Sequence, residues 1–354
     1  PITYSLLFIG LALGAFASAC FADEPVKEDD LIKIITSDAP PQDKAIPIKQ
    51  LTIYGTDKCV PALAALLTDK DLSSWARIPL EAIPGKAADD ALRGALPKLK
   101  GRLLIGVVNS LGVRKCAAAT GELAGLLKNA DSGVACAAAA ALGQIATPEA
   151  VKAIEPCLSA GDADVRSAAG EALVICALKA LADGKADEAA RICEAVRKAD
   201  VPRQRVIEAT RGLVLARGDA GAPMLAELLK STDRHMYGLG LRLARELPGP
   251  AATDAVVAAM KAADPQKQGV LLLALADRND PKAMPAVLEA VKTAAGPMRV
   301  TAIGILEKTG DVSCVPALLD AAVADDEEVA KAAALALARL PGKGVNADIA
   351  ARLD

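Results

Sequence analysis

Apolar residues recur along the chain at the spacing of an amphipathic helix, and the clearest example begins at Thr147. Thr147 predicts a helix start because it can cap the first turn and is followed by Pro148. We expect this helix to run to about Leu158, and Asp162 or Asp164 to cap a second helix after a turn. The apolar stripe of the second helix consists of Val165, Ala168, Ala169, Ala172 and Leu173. The pattern predicts a pair of antiparallel helices.

The same helix pair recurs about every thirty residues, a period typical of repeat proteins. First helices are predicted at "CVPALAALLTD" from Cys59 and at "CVPALLDAAVAD" from Cys314. The chain accommodates about ten pairs and a short final helix near residues 345–353. We divide it into an irregular N-terminal capping pair, residues 23–57, and a repeat array, residues 58–354. Cys59 and Cys314 then mark the same place in two repeats, and we expect no thiol chemistry from them.

Three segments carry a resemblance to a known family. They are "DADVRSAAGEAL" (162–173), "DSGVACAAAAAL" (131–142) and "DDEEVAKAAALAL" (325–337). In these segments the chain resembles bacterial extracytoplasmic HEAT-repeat proteins with short repeats of the PBS-lyase type. The resemblance implies an all-α fold, an α-solenoid (superhelix) of about ten HEAT-like helix pairs. Ala135 and Ala330 replace Arg166 in the second and third segments, so we expect any ladder of Asp–Arg contacts between neighbouring repeats to be broken.

The amino-acid composition limits which residue types can fill the core and which class of partner the protein can bind. Hydrophobic residues make up 53% of the chain and aromatic residues only 2%, so the core must be built from small and aliphatic side chains. After residue 22 the aromatic residues are Tyr54, Trp75 and Tyr237. The net charge of -3 and the pI near 5.5 provide no basic field for nucleic acid. We therefore expect no nucleic-acid partner.

Residues 1–22 have the pattern of a signal peptide, because the apolar run at residues 5–16 is followed by small residues. Two processing routes are open. Residues 17–19 before Cys20 resemble a lipoprotein site, at which Cys20 would be lipidated and hold the protein on a membrane. Alternatively, cleavage before Asp23 would release a soluble protein. Both routes predict a periplasmic or secreted location, with membrane attachment only if Cys20 is lipidated.

The sequence offers little for catalysis. Its one histidine, His235, has no adjacent glutamate, and the chain lacks a Cys-x-x-Cys motif. The glycine-rich stretches lack the strand, loop and helix order of a phosphate-binding loop. We therefore expect no catalytic residue, no metal and no cofactor, and interpret the protein as a non-enzyme.

The number and positions of the cysteines leave one hypothesis for a disulfide. Seven cysteines remain if the ordinary signal site is used, an odd number for an oxidising compartment. Cys136 and Cys157 fall at similar heights on adjacent antiparallel helices, so they are the pair that can be bridged. The alternative is that both are free, buried thiols.

Exposed positions on second helices are the expected partner-binding surface, because these helices line one side of such arrays. One predicted helix exposes His235, Arg242 and Arg245, and the preceding second helix exposes Arg211, with a Glu208–Arg211 pair three residues apart. A groove bearing these arginines would suit an acidic peptide or protein segment, whereas the alternative is a solvated face. Trp75 is a further anchor candidate, or else a large filler of an alanine-rich core.

Taken together, these patterns predict a non-catalytic protein-binding scaffold that acts outside the cytoplasm. An accessory subunit that positions a separate envelope or secreted enzyme is the first alternative. A structural envelope component tethered through Cys20 is the second. The oligomeric state is not indicated by the sequence.

Overall fold

The computed structural model describes residues 26–160 and 162–353. Within those residues the chain forms 21 α-helices and no β-strand, so the all-α prediction is confirmed. None of the helices in these ranges is long and apolar enough to cross a bilayer. The predicted signal peptide, residues 1–22, lies outside the described residues, as does Cys20.

The chain divides into two compact units, one up to Ala91 and one from Leu92 onward. We refer to them as unit 1 and unit 2. The helices of unit 1 are α1 (Glu28–Thr36), α2 (Pro41–Tyr54), α3 (Val60–Ala65) and α4 (Ser73–Ala82). The boundary falls within α5 (Lys86–Ala95). The predicted division after residue 57 separates a capping helix pair from the repeats, which is a different boundary, and it stays a prediction.

Unit 2 continues the same alternation of helices. Its helices are α6 (Gly101–Val113), α7 (Thr120–Leu126), α8 (Ser132–Ile145), α9 (Pro148–Ile154), α10 (Ala163–Ala182), α11 (Ala186–Lys198), α12 (Arg203–Arg217), α13 (Ala222–Lys230), α14 (Arg234–Glu246), α15 (Pro250–Ala262), α16 (Pro265–Asp277), α17 (Met284–Thr293), α18 (Gly296–Thr309), α19 (Val315–Ala322), α20 (Glu327–Arg339) and α21 (Val345–Leu353). Up to α20, odd-numbered helices are first helices and even-numbered helices are second helices. The described chain thus forms ten pairs and a final helix, as the pattern predicted.

Local sequence sets the helix ends. The Thr147 hydroxyl accepts a hydrogen bond from the Ala150 N–H at 3.2 Å, and the Asp162 carboxylate accepts one from the Val165 N–H at 2.9 Å. Both predicted caps are therefore present. The first helix ends earlier than predicted, because residues 155–158 form a 3₁₀ segment. Pro156 lies in that segment, and without an N–H it cannot continue the α-helical ladder.

Second helices of unit 2 pack side by side in chain order, from α6 through α20. Each one from α6 to α18 places a fully buried leucine at the corresponding position of the repeat. These leucines are Leu111, Leu142, Leu173, Leu213, Leu243, Leu275 and Leu306. They are spaced by 30 to 32 residues, except for 40 between Leu173 and Leu213, where α10 is 20 residues long. The repeat is thus a structural register as well as a sequence pattern.

Glycines bring α6, α8 and α10 into close contact. A Cβ atom at Gly112 would lie 2.8 Å from the Cα of Ala141, and a Cβ at Gly143 would lie 2.8 Å from the Cα of Ala172. These separations are too short for any larger residue without a shift of the backbone. The close approach along α6, α8 and α10 therefore requires glycine.

Arg278, just after α16, connects two helix pairs. Its Nη1 donates to the carbonyls of Ala244 and Leu247 at 2.7 and 2.8 Å, and its Nη2 donates to that of Gly249 at 2.9 Å. Its Nε donates to the Thr253 hydroxyl at 2.9 Å. Burial lowers the pKa of Arg278, as expected for a guanidinium surrounded by backbone. The side chain satisfies carbonyls at the end of α14 that the helix itself leaves unbonded.

Candidate functional site

The predicted arginine face lies on α12 and α14, and comprises Arg211, His235, Arg242 and Arg245. Asp233 caps α14 by accepting from the N–H groups of His235 and Met236, which fixes the start and rotation of the helix. The side chains of His235 and Arg242 are well exposed, whereas that of Arg211 is only 26% exposed. Arg211 thus lies deeper than the sequence suggested, and the shared binding surface of the four residues stays a prediction.

Two of these arginines share one carboxylate. The Nε of Arg211 lies 2.7 Å from Glu246 Oε2, and the Nε of Arg242 lies 2.8 Å from Glu246 Oε1. Burial disfavours the charge on Glu246, but the two guanidinium groups outweigh burial and lower the pKa of Glu246. The predicted Glu208–Arg211 pair is wrong, because Arg211 reaches the next second helix and Glu208 accepts from Gln204 and Arg205 instead.

Arg245 makes the next link. Its Nε donates to Asp277 Oδ2 on α16 at 2.7 Å, and its Nη1 donates to the carbonyl of Leu241 at 2.9 Å. The pairs of Arg203 with Asp233 and of Arg205 with Glu171 extend the network. Across the network, five arginines meet five carboxylates, so their charges balance. The partner-binding role of the arginine face stays a prediction, and its arginines hold neighbouring helices together.

The contact that Arg166 makes between repeats is not repeated at the echo positions, as predicted. Arg166 does bond Asp200, at 3.1 Å between Nη2 and Oδ2, and the echoes at Ala135 and Ala330 lack that contact. Yet second helices are bridged by arginines elsewhere on the helix, including Arg339 of α20 with Glu307 of α18 at 3.0 Å. The ladder continues with different residues because long arginine side chains can reach a carboxylate from several positions.

Trp75 lies at the surface of unit 1, on α4, and is 37% exposed. Of the two roles weighed for it, the structure therefore places it on the surface and not as a core filler. Its neighbour one turn on, Ile78, is exposed as well. Pro79 lies inside the helix and is buried, so the helix keeps a single outward side that carries Trp75 and Ile78.

Sequence reasoning missed the second half of this surface. Helix α2 packs beside α4, and its Ile46 and Ile53 are 68% and 78% exposed. They are seven residues apart and so lie on the same side of α2. We call Ile46, Ile53, Trp75 and Ile78 the apolar face of unit 1. The sequence did contain a signal for these two residues. Ile48 and Leu51 fill the buried side of α2, so the other two isoleucines of the helix had to point outward.

Three of the buried cysteines are poorly suited to nucleophilic chemistry. Burial raises the pKa of the Cys59 and Cys176 thiols to about 12, and that of Cys193 to about 11. Such thiols stay protonated at neutral pH and so are weak nucleophiles. Cys136 and Cys157 are half-buried free thiols, so the predicted disulfide between them is absent from this structure. Among the described residues, no three His, Cys, Asp or Glu side chains are grouped to hold a metal ion.

Comparison with known proteins identifies the repeat. A model of the HEAT-repeat family matches residues 90–174 and 253–338. No curated protein matches the chain. Yeast importin-β (Kap95p) has a similar structure, with 12% identity over 89% of this chain and 51% of that one, and a TM-score of 0.50. This chain thus spans about half the length of Kap95p.

Two other solved structures match the chain with lower TM-scores. An engineered protein is 20% identical over 88% of this chain and 98% of that one, with a TM-score of 0.36. Human deoxyhypusine hydroxylase is 19% identical over 80% of this chain and 96% of that one, with a TM-score of 0.34. The family match and the helix pairs of the described residues lead to one assignment: residues 90–174 and 253–338 are similar to HEAT repeats, and the chain has an all-α solenoid fold.

Proposed function

We propose that this protein is a non-catalytic scaffold that binds another protein outside the cytoplasm. The observation that carries the proposal is the apolar face of unit 1. Soluble proteins rarely leave several large aliphatic residues and a tryptophan exposed together unless a partner covers them. Tryptophan is also enriched among the residues that dominate binding energy.

The geometry of the apolar face suits a protein partner better than a small molecule. Ile46 and Ile53 lie about 10 Å apart along α2, at 1.5 Å per residue. Trp75 and Ile78 lie on α4, which packs against α2, so two neighbouring helices carry exposed apolar side chains. A small ligand prefers a concave site that encloses it. An exposed, two-helix surface is better matched by the side of a partner's helix.

The chemistry of the chain supports a non-catalytic role. The buried thiols have raised pKa values, and the single histidine, His235, lies on the exposed start of α14. Its nearest carboxylate, that of Asp233 at 3.8 Å, caps the helix, whereas nucleophilic catalysis would need a nucleophile within hydrogen-bond reach of the histidine. The extracytoplasmic location rests on the sequence of residues 5–22 and on the resemblance of the repeats. Residues 5–22 lie outside the described part of the chain.

Site-directed photocrosslinking tests the binding role. The crosslinking amino acid benzoylphenylalanine is placed at position 53, on the apolar face, and at the equally exposed Val323 of unit 2 as the control. We expect one protein to be crosslinked from position 53 in the native host and not from position 323. Trp75→Ala should weaken the capture of that protein at least tenfold without changing the melting temperature.

The same experiment separates the alternatives. A crosslinked enzyme would identify an accessory subunit, and a crosslinked envelope polymer-binding protein would favour the structural role. Absence of any crosslink, together with turnover by the purified protein alone, would overturn the proposal. Cell fractionation tests the location, and the intact mass of the mature protein tests lipidation at Cys20.

A further inference from the structure

A groove in unit 2 differs from the apolar face in both shape and charge. It lies among α11, α12, α13 and α14 and has a volume of about 490 Å³. Its apolar lining consists of Val206, Pro223, Met224, Leu228 and Met236. We call it the methionine groove. Because the side chains of Met224, Leu228 and Met236 are half-buried, each already packs on the core and leaves one side open to the groove.

Positive charge is in excess at the rim of the methionine groove. Arg197 lines the groove, and Arg217 reaches its edge, where Nη1 lies 3.1 Å from the sulfur of Met224. Three cations surround the single carboxylate of Glu194: Arg197 at 3.1 Å, Lys198 at 3.3 Å and Arg217 at 3.9 Å. Burial alone would raise the pKa of Glu194, but these cations lower it, so Glu194 is ionised at neutral pH.

The charge balance separates this groove from the arginine face. Across the rim, Lys230 pairs with Glu227 at 3.5 Å, so four cations meet two carboxylates and two positive charges remain. The network around the arginine face, by contrast, matches five arginines with five carboxylates of the same chain. A carboxylate of a partner protein would therefore have to displace a carboxylate of this chain from the arginine network. At the Glu194 cluster it could bind without breaking an existing ion pair.

We propose that the methionine groove binds an acidic segment of a partner protein that inserts apolar side chains between α11 and α13. This inference extends the proposed scaffold function and rests on it. The apolar lining requires apolar side chains, and the uncompensated cations require carboxylates beside them. Methionine suits this task because its flexible, polarisable side chain adapts to different apolar shapes. The open groove admits a few side chains at a time, as a linear segment would present them.

Peptide binding to the full chain tests the proposal. The probe is a fluorescein-labelled amphipathic peptide of roughly 15 residues, with leucine and methionine at helical spacing and glutamate elsewhere. Its counterpart carries lysine in place of every glutamate. By fluorescence anisotropy, we expect the acidic peptide to bind at least tenfold more tightly, and its affinity to fall with added salt. Equal affinities for the two peptides would overturn the proposal.

Variants localise the binding to the groove. Lys198→Glu reverses the charge of a side chain that is 74% exposed, so the fold should be unaffected. We expect it to weaken the acidic peptide at least fivefold, and Leu228→Gln to weaken both peptides. Lys331→Glu, which makes the same charge change on the exposed side of α20, is the matched control and should leave binding unchanged. Unchanged binding by Lys198→Glu would place the peptide elsewhere and overturn the proposal.

The outcome for the groove is separable from the outcome for the scaffold. Capture of the native partner through position 53 does not involve the methionine groove. If that capture succeeds while the acidic peptide fails to bind, the groove proposal falls and the scaffold function stands. If neither occurs, the groove proposal falls, and turnover by the purified protein would then overturn the scaffold function as well.

Discussion

Second helices in unit 2 are joined in two different ways. From α6 to α10, Gly112 and Gly143 let neighbouring backbones touch. From α12 to α16, Arg211 and Arg245 bridge the helices through carboxylates. The same register position, just after the buried leucine, is glycine in α6 and α8 but Val214 in α12.

The difference shows how one repeat can serve two purposes. Where backbones touch, the surface between helices has no room for long side chains, and the contact is governed by shape. Where a larger residue follows the leucine, arginine and carboxylate side chains form the contact instead. The first arrangement favours stability, whereas the second leaves a charged surface whose pairs can be altered one at a time.

The largest expected effect concerns an arginine that bonds carbonyls and not carboxylates. Arg278→Met removes the donors for Ala244, Leu247 and Gly249, so three carbonyls lose their partner in a partly buried place. We expect the free energy of unfolding to fall by about 3 kcal/mol. Urea unfolding measures the change. Arg234→Met, on the exposed start of α14, is the control and should leave stability unchanged; a similar loss there would contradict the explanation.

Gly143→Ala tests the close contact of α8 with α10. The added Cβ would lie 2.8 Å from both the Cα and the Cβ of Ala172, so the two helices must move apart. We expect the free energy of unfolding to fall by about 2 kcal/mol, although alanine favours helix formation. Thermal and urea unfolding both report the loss. A stable Gly143→Ala variant would mean that the contact adjusts at no cost.

Glu246→Gln tests the ion-paired region and its pH dependence. The folded-state pKa of Glu246 lies below its ordinary value of 4.5, so the pairing stabilises the protein above that pH and is lost as the pH falls through the folded-state pKa. We expect a loss of about 1 kcal/mol at neutral pH that shrinks towards zero in acid. Urea unfolding at several pH values measures it. Glu227→Gln, on the exposed side of α13, is the control and should leave stability at neutral pH nearly unchanged.

Gly238→Ala has the smallest expected effect on the free energy of unfolding. The change is opposite in sign to that of Gly143→Ala. A Cβ at Gly238 would have no neighbour within 4 Å, and the residue lies in α14 of the ion-paired region. The substitution should raise the free energy of unfolding by about 0.7 kcal/mol through helix propensity alone. A difference in melting temperature between the two alanine variants is the most direct measure of the comparison. Equal effects would show that glycine has the same role in both regions.

Much of the fold was predictable because it depends on short-range signals. Thr147 and Asp162 cap helices through residues only three positions away, and the leucine period recurs from α6 to α18. The partner of Arg211 was not predictable. Glu208 lies three residues away on the same helix, while Glu246 lies 35 residues away and is brought near only by packing. The choice between them depends on the geometry between helices.

Binding surfaces were predicted less well than the fold for the same reason. Trp75 was a candidate because of its residue type, but its exposure depends on how Pro79 sits within α4. The excess charge at Glu194 required knowing that Arg217 returns to α11 from the end of α12. Net charge along a sequence does not reveal which charges cancel in space.

The even spacing of the buried leucines makes the array editable in whole repeats. Deletion of residues 112–142 joins Leu111 directly to Gly143. Leu111 is then again followed by a glycine, as it is by Gly112 in the present chain. The fused helix would then present Gly143 to Ala172 as α8 does now. A shorter array made this way keeps every remaining leucine in register, so the length of the protein can be changed without redesigning its core.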